Sequence, residues 1–124
     1  MPTQPADPAD PSGNLFANLP AGVQETELVS RLLAKPGLTI ERIVSTGQAS
    51  PPDFWYDQER AEWVVLLQGD ALLRFADEAE PRRLKAGDFV AIAPQRRHRV
   101  EWTASGQTTV WLAIHYDGAP NLSR

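Results

Sequence analysis

From Leu38 onward, apolar residues fall in short runs separated by turn-forming residues. Leu38, Ile40, Ile43 and Val44 form the first run, which Ser50-Pro51-Pro52-Asp53 interrupts. Glu62 to Phe75 holds two apolar runs flanking Gln68-Gly69-Asp70, a sequence that predicts a β-hairpin because glycine supplies the positive φ of a tight turn. Arg83-Leu84 leads through Lys85-Ala86-Gly87-Asp88 into Phe89, Val90 and Ile92. His98, Val100 and Trp102 then alternate with Arg99, Glu101 and Thr103, which predicts a strand with one wet face. After Ser105-Gly106, Thr108 to Tyr116 is almost wholly β-favouring. Short strands at regular intervals, with neither an internal repeat nor a parallel βαβ unit, predict a sandwich or barrel.

The N-terminal part reads differently. Residues 1–13 carry no large apolar side chain after Met1, so ordering them would gain little burial to offset the lost entropy, and a disordered tail is expected. Residues 14–37 form an N-terminal extension. Within it Leu28, Val29, Leu32 and Leu33 recur at helical spacing, which predicts a helix over Glu25–Ala34 ending at Pro36-Gly37; a strand is the alternative for so short a segment. The barrel is expected over 38–117, with a C-terminal tail at 118–124. The outward parity of Trp63 and Val65 leaves a second apolar face on the strand that starts at Glu62. Either the extension or a second subunit must cover that face, and a two-fold homodimer is expected.

Composition narrows the function classes. The 124 residues include no cysteine, which removes disulfides, thiol catalysis and zinc–thiolate sites and fits a cytoplasmic protein. No basic n-region precedes an apolar run, and no stretch approaches the roughly 20 apolar residues that span a bilayer. Neither a secretion signal nor a membrane partner is therefore expected. A formal net charge of −4, with basic residues clustered only at Arg96, Arg97 and Arg99, argues against nucleic acid as a partner.

The candidate chemistry lies on and beside the strands. Glu62 shares parity with Val64 and Leu66, and a carboxylate on a buried face needs a partner, a hydrogen bond or a metal. His98 can ligate a metal or carry a proton near neutral pH. Tyr56, Asp57 and Gln58 offer oxygen donors; one imidazole among such donors suits Mn²⁺ or Mg²⁺ better than copper. Gln58 reads as loop chemistry, and His115 on the last strand as a packed structural residue. Trp55, beside Tyr56, is a candidate pocket wall.

Two stretches between Trp55 and Trp102 carry a resemblance. Glu62 is followed by six residues and then Gly69, and Gly87 opens GDFVAIAPQRRH with His98 eleven positions on. These spacings resemble the two motifs of the cupin family. The first is G-x5-H-x-H, three or four residues, Glu, six residues, Gly. The second is G-x5-P-x-G, two residues, His, three residues, Asn. The resemblance implies an all-β, double-stranded β-helix (jelly-roll barrel) and, in the usual member, Mn, Fe, Ni or Zn held by three histidines and a glutamate.

The chain departs from that pattern. Trp55 and Asp57, or Tyr56 and Gln58, stand where the H-x-H pair belongs. Pro94 sits one place late, Gln95 replaces the glycine, and Trp102 replaces the asparagine. Two readings stay open. In one, Trp55, Tyr56, Glu62, His98 and Trp102 line a pocket for a small organic ligand, with Arg96, Arg97 or Arg99 supplying charge for an anionic one. In the other, Glu62 and His98, with Asp57 or Tyr56, hold a divalent metal for an enzyme. Both require Glu62 and His98 to face one cavity.

Overall fold

A computed structural model describes residues 12–117 and the pair Gln4–Pro5. The strands are β1 (Gln4–Pro5), β2 (Leu28–Lys35), β3 (Leu38–Ser45), β4 (Ala61–Gln68), β5 (Asp70–Phe75), β6 (Arg82–Lys85), β7 (Phe89–Ile92), β8 (His98–Thr103) and β9 (Thr109–Tyr116). They form a six-stranded sheet in the order β1-β2-β3-β9-β4-β7 and a three-stranded sheet in the order β6-β5-β8. Pairing is antiparallel except between β1 and β2. Among the described residues there is no helix.

The core lies between the sheets. Val64, Leu66, Val90, Ile92, Trp111 and Ala113 from the larger sheet meet Ala71, Leu73, Phe75 and Leu84 from the smaller one. Period-2 alternation builds this layer: in β4, Val64 and Leu66 point in while Trp63 and Val65 point out and stay half-buried.

The helix expected over Glu25–Ala34 is instead the strand β2, paired with β3. The register with β3 skips between Arg31 and Leu33. The extra residue at this bulge shifts the side-chain alternation. That shift spaces Leu28, Val29, Leu32 and Leu33 as a helix would. The expected extension at 14–37 thus contributes a strand to the larger sheet. Its earlier part docks through Arg42, whose guanidinium donates to the carbonyls of Leu15 (3.2 Å) and Ala17 (2.6 Å).

The hairpin expected at Gln68-Gly69-Asp70 is also corrected. β4 and β5 belong to different sheets, so Gly69 marks a corner between sheets. The glycine is required there twice over. Its φ is +100°, and a Cβ would lie 2.6 Å from Thr109 Cα. The expected tail at 1–13 lies outside the described residues except for Ser12, Gly13 and Gln4–Pro5. Gln4 and Pro5 pair with Ser30 and Arg31, so that dipeptide joins the sheet, where disorder was expected. The C-terminal tail at 118–124 lies wholly outside the described residues.

Candidate functional site

A cavity of about 220 Å³ opens between the two sheets. Its wall is apolar in the middle, with Val29, Ile43, Val64, Leu73, Ile92, Val100 and Trp111. Its polar groups are Glu27, Glu41, Tyr56, Gln58, Glu62, His98 and His115.

Glu62 and His98 meet there, as the parity of their strands requires. Glu62 is on β4 in the larger sheet and His98 on β8 in the smaller one. His98 Nε2 lies 3.6 Å from Glu62 Oε1, and the two side chains are only 6 % and 11 % exposed. His98 Nδ1 lies 2.9 Å from the Arg96 carbonyl oxygen. A carbonyl can only accept, so Nδ1 carries the proton in that bond. The Nε2 lone pair of neutral His98 would then face a carboxylate, and protonating Nε2 turns that repulsion into attraction. Burial pulls the His98 pKa down, but hydrogen bonding to Glu62 and to the Arg96 carbonyl outweighs it and leaves the pKa raised.

Tyr56 sits against this pair. Its backbone exchanges two hydrogen bonds with His98, and its ring stacks on the imidazole at 5.5 Å and 26°. Burial, followed by the charges of Glu27 and Glu62, raises its phenol pKa. Tyr56 is therefore a neutral hydroxyl at physiological pH.

A second acid–base pair escaped the sequence reading. His115 Nε2 lies 3.6 Å from Glu41 Oε1, and His115 stands directly opposite Glu62 in the β4–β9 register. His115, expected to be a packed structural residue, faces the cavity. The alternation of Thr39, Glu41 and Ile43 along β3 was the available signal for Glu41. Glu27 was missed as well, because the helix reading hid its parity with Val29. Glu27 Oε2 accepts from Ser45 Oγ at 2.8 Å, and Ser45 Oγ accepts from Trp111 Nε1 at 3.0 Å. Burial raises the Glu27 pKa, although the Ser45 hydrogen bond pulls the other way.

Three expected site residues do not reach the cavity. The β5–β8 register shifts between Leu72 and Leu73, so that Trp102 pairs with Leu72 and Val100 with Leu73. Glu101 is the extra residue, and this bulge turns Trp102 outward, where it is 40 % exposed. Trp55 lies under the guanidinium groups of Arg97 and Arg99, at 5.7 and 5.9 Å, away from the cavity wall. Asp57 is exposed. Gln58, read as loop chemistry, lines the cavity.

The arginines expected to draw an anion are committed elsewhere. Arg96 pairs with Asp77 and Glu78 and covers the Phe75 ring at 3.7 Å. Arg99 pairs with Glu101 and donates to the carbonyls of Ser50 and Pro51. Among the described residues no lysine or arginine lines the cavity. Gln95, where the second motif has glycine, adopts φ +63°, so the backbone keeps a glycine-like conformation without the glycine.

The metal expected in the second reading does not fit this donor set. Asp57 is exposed and does not join Glu62 and His98, Tyr56 stands beside them only as a neutral phenol, and Trp55 fills one of the positions where histidine would stand. Among the described residues no group of three or more His, Asp or Glu side chains is placed to hold a metal ion. The pair does suit proton exchange with a bound molecule, and the cavity suits enclosure of one.

The cupin domain family matches residues 41–115. A Ralstonia eutropha JMP134 protein provisionally named as a mannose-6-phosphate isomerase is 47 % identical, with a TM-score of 0.83 over 86 % of this chain and 97 % of that one. A cupin-superfamily protein of Desulfitobacterium hafniense DCB-2 is 17 % identical, with a TM-score of 0.67 over 86 % and 91 %. An RmlC-like cupin of Methanocaldococcus jannaschii with a double-stranded β-helix fold is 18 % identical, with a TM-score of 0.61 over 77 % and 84 %. No curated protein matches the chain.

Proposed function

The chain belongs to the cupin family, and on that premise we propose that it binds a small organic molecule in the cavity between its sheets. One observation carries this reading. An apolar-walled cavity with Tyr56, Glu62 and His98 converging on it is the arrangement in which apolar surface supplies affinity and a few polar groups supply orientation. At about 220 Å³ it has room equivalent to roughly seven waters at ≈ 30 Å³ each, which limits the ligand to a small metabolite.

The name of the Ralstonia relative would bring a phosphorylated sugar to this chain. The cavity offers a sugar ring hydroxyl partners in Glu41, Glu62 and Tyr56, but among the described residues it gives a phosphate no lysine or arginine, and its two imidazoles already face carboxylates. The reading is therefore restricted to binding, without a named reaction. A thermal-shift screen of neutral, cationic and anionic metabolites tests it, with Val29→Phe as the control that fills the cavity. The expected result is a ligand that stabilises the parent protein and loses its effect in V29F. A ligand that stabilises both proteins equally would place binding elsewhere.

We also propose that two copies associate through the outer face of the larger sheet. Ile40, Ile114 and Trp63 form one apolar row across β3, β9 and β4, and Leu112, Val65 and Phe89 form the next. Residues 14–17 dock at Arg42 and leave Phe89 63 % exposed, with Trp63 stacked on it at 5.3 Å. Sedimentation at micromolar concentration should give a dimer, and Val65→Asp a monomer. A monomeric parent protein would overturn the proposal. Among the described residues no helix is long and apolar enough to cross a membrane. A cytoplasmic location is proposed on the lack of cysteine. Fractionation of cells with an antibody against the chain tests it, and recovery outside the cytoplasm would contradict it.

A further inference from the structure

We propose that the cavity is built for an organic cation, and specifically for a short linear diamine. The inference rests on the reading that this cavity is the ligand site, and it adds the chemical class of the ligand.

The charge census points to a cation. Glu27, Glu41 and Glu62 line the cavity, with no lysine or arginine among the described residues of its wall to balance them. His98 and His115 each face one carboxylate at 3.6 Å. Glu27 has no such partner; it holds only the hydroxyl of Ser45, itself anchored by Trp111. With all three carboxylates ionised, the wall carries −1 if both imidazoles are protonated and −2 if one is neutral, so a dication is balanced when it displaces one imidazole proton to solvent. A buried carboxylate without a counter-charge is costly, and a cationic ligand removes that cost. A second observation is independent of charge. Gln58, at the rim, keeps a buried side-chain oxygen without a donor, so it is an acceptor waiting for an N–H or O–H.

The spacing points to two cationic ends. Leu28 pairs with Val44, so Glu27 lies level with Ser45, four residues along β3 from Glu41. At ≈ 3.4 Å per residue the two carboxylates are rooted about 14 Å apart along the sheet. The wall between them is apolar, with Val29, Ile43 and Trp111. A four-carbon diamine matches this layout. Its five single bonds of about 1.5 Å, staggered, separate the nitrogens by about 6 Å. A charge-assisted hydrogen bond of about 2.8 Å at each end extends the reach to roughly 12 Å. The chain lies against the apolar wall, and the ammonium groups meet Glu27 at one end and Glu41 at the other. Arg31 and Arg60 border an adjoining recess that shares Glu41, Gln58 and His115 with the cavity, on the far side of Glu41. Arg60 already donates to Thr39 Oγ1 and the His115 carbonyl.

Isothermal titration of the full chain with 1,4-diaminobutane, 1-aminobutane, succinate and mannose 6-phosphate tests the proposal. The diamine should bind saturably and the monoamine at least tenfold more weakly. The two anions should give no binding heat. Glu27→Gln and Glu41→Gln should each weaken the diamine at least tenfold. Two variants are used so that one carries the test if circular dichroism shows the other to be unfolded. Binding of succinate or mannose 6-phosphate in place of the diamine would overturn the proposal. So would diamine binding that neither substitution weakens, or silence from all four probes. In each of those cases the cavity reading is judged separately, by whether any ligand of the thermal-shift screen loses its effect in V29F.

Discussion

Replacing Glu62 with glutamine keeps the shape of the site and removes one charge from the buried pair. His98 Nδ1–H remains committed to the Arg96 carbonyl, so its Nε2 still points at position 62. A glutamine amide can donate to the lone pair of neutral His98 but offers an imidazolium only a weak neutral acceptor. Burial and the Arg96 charge, which lower the His98 pKa, are then opposed only by the hydrogen bond to the Arg96 carbonyl. The His98 pKa, raised above its ordinary value of 6.5 in the parent, should therefore fall in E62Q. The stability effect follows from linkage. A histidine whose folded pKa is raised contributes stability that is fully present below its unfolded pKa of about 6.5 and lost as pH rises through the folded value. Protonating Nε2 allows the 3.6 Å contact to close into a hydrogen bond to a charged group, which contributes about 1.5–3 kcal/mol, and with both side chains almost fully enclosed no large solvent discount applies. E62Q should thus lose about 1.5–3 kcal/mol near pH 6 and much less near pH 9. Imidazole titration by NMR gives the pKa, and urea unfolding at the two pH values gives the energies. An unchanged His98 midpoint, or an equal stability loss at both pH values, would refute the pairing.

Three further outcomes follow from the same geometry. Burial raises the Glu27 pKa, so its contribution is present below about pH 4.5 and lost as pH rises through the raised folded value. Glu27→Gln without ligand should therefore be more stable than the parent at pH 8, and a less stable variant in urea unfolding would show that Glu27 is already compensated. Gly69→Ala combines a strained φ of +100° with a Cβ pressed against Thr109, at about 1–3 kcal/mol for each effect. A loss of roughly 2–6 kcal/mol in urea unfolding is expected, and a loss below about 1 kcal/mol would contradict the corner geometry. Elemental analysis of untagged protein should give transition metal well below one per chain, because among the described residues no three His, Asp or Glu side chains converge on one point and Tyr56 is a neutral phenol; a stoichiometric metal would contradict that donor set.

Much of the barrel was legible because alternation in β4 is uninterrupted where it matters. Glu62, Val64 and Leu66 share a face in the sequence pattern and in the structure. His98 and Val100 likewise face the cavity together. Two of the misreadings, Trp102 and the N-terminal strand with Glu27, share one physical cause. Side-chain parity predicts a face only while the register holds, and a bulge inserts a residue that period-2 reading cannot see. The bulge at Glu101 sends Trp102 outward, and the one between Arg31 and Leu33 makes a strand look helical and hides Glu27. Gly69 was recognised as a site of positive φ, but a glycine cannot tell a hairpin from a corner; that depends on which strands pair. Trp55 and Asp57 lie on a connecting segment, where no periodicity constrains the direction of a side chain. The Glu41–His115 pair was hidden for a different reason. It joins β3 to β9, and nothing local in either segment announces that contact.

The most direct test of the account is the crystal structure of the protein with a ligand that stabilises it in the thermal-shift screen. The account predicts density between the two sheets, in contact with Tyr56 and with Glu62 or His98, and away from Trp55, Asp57 and Trp102. A ligand seated on the outer face beside Phe89, or in the recess at Arg31 and Arg60 with the cavity empty, would contradict it.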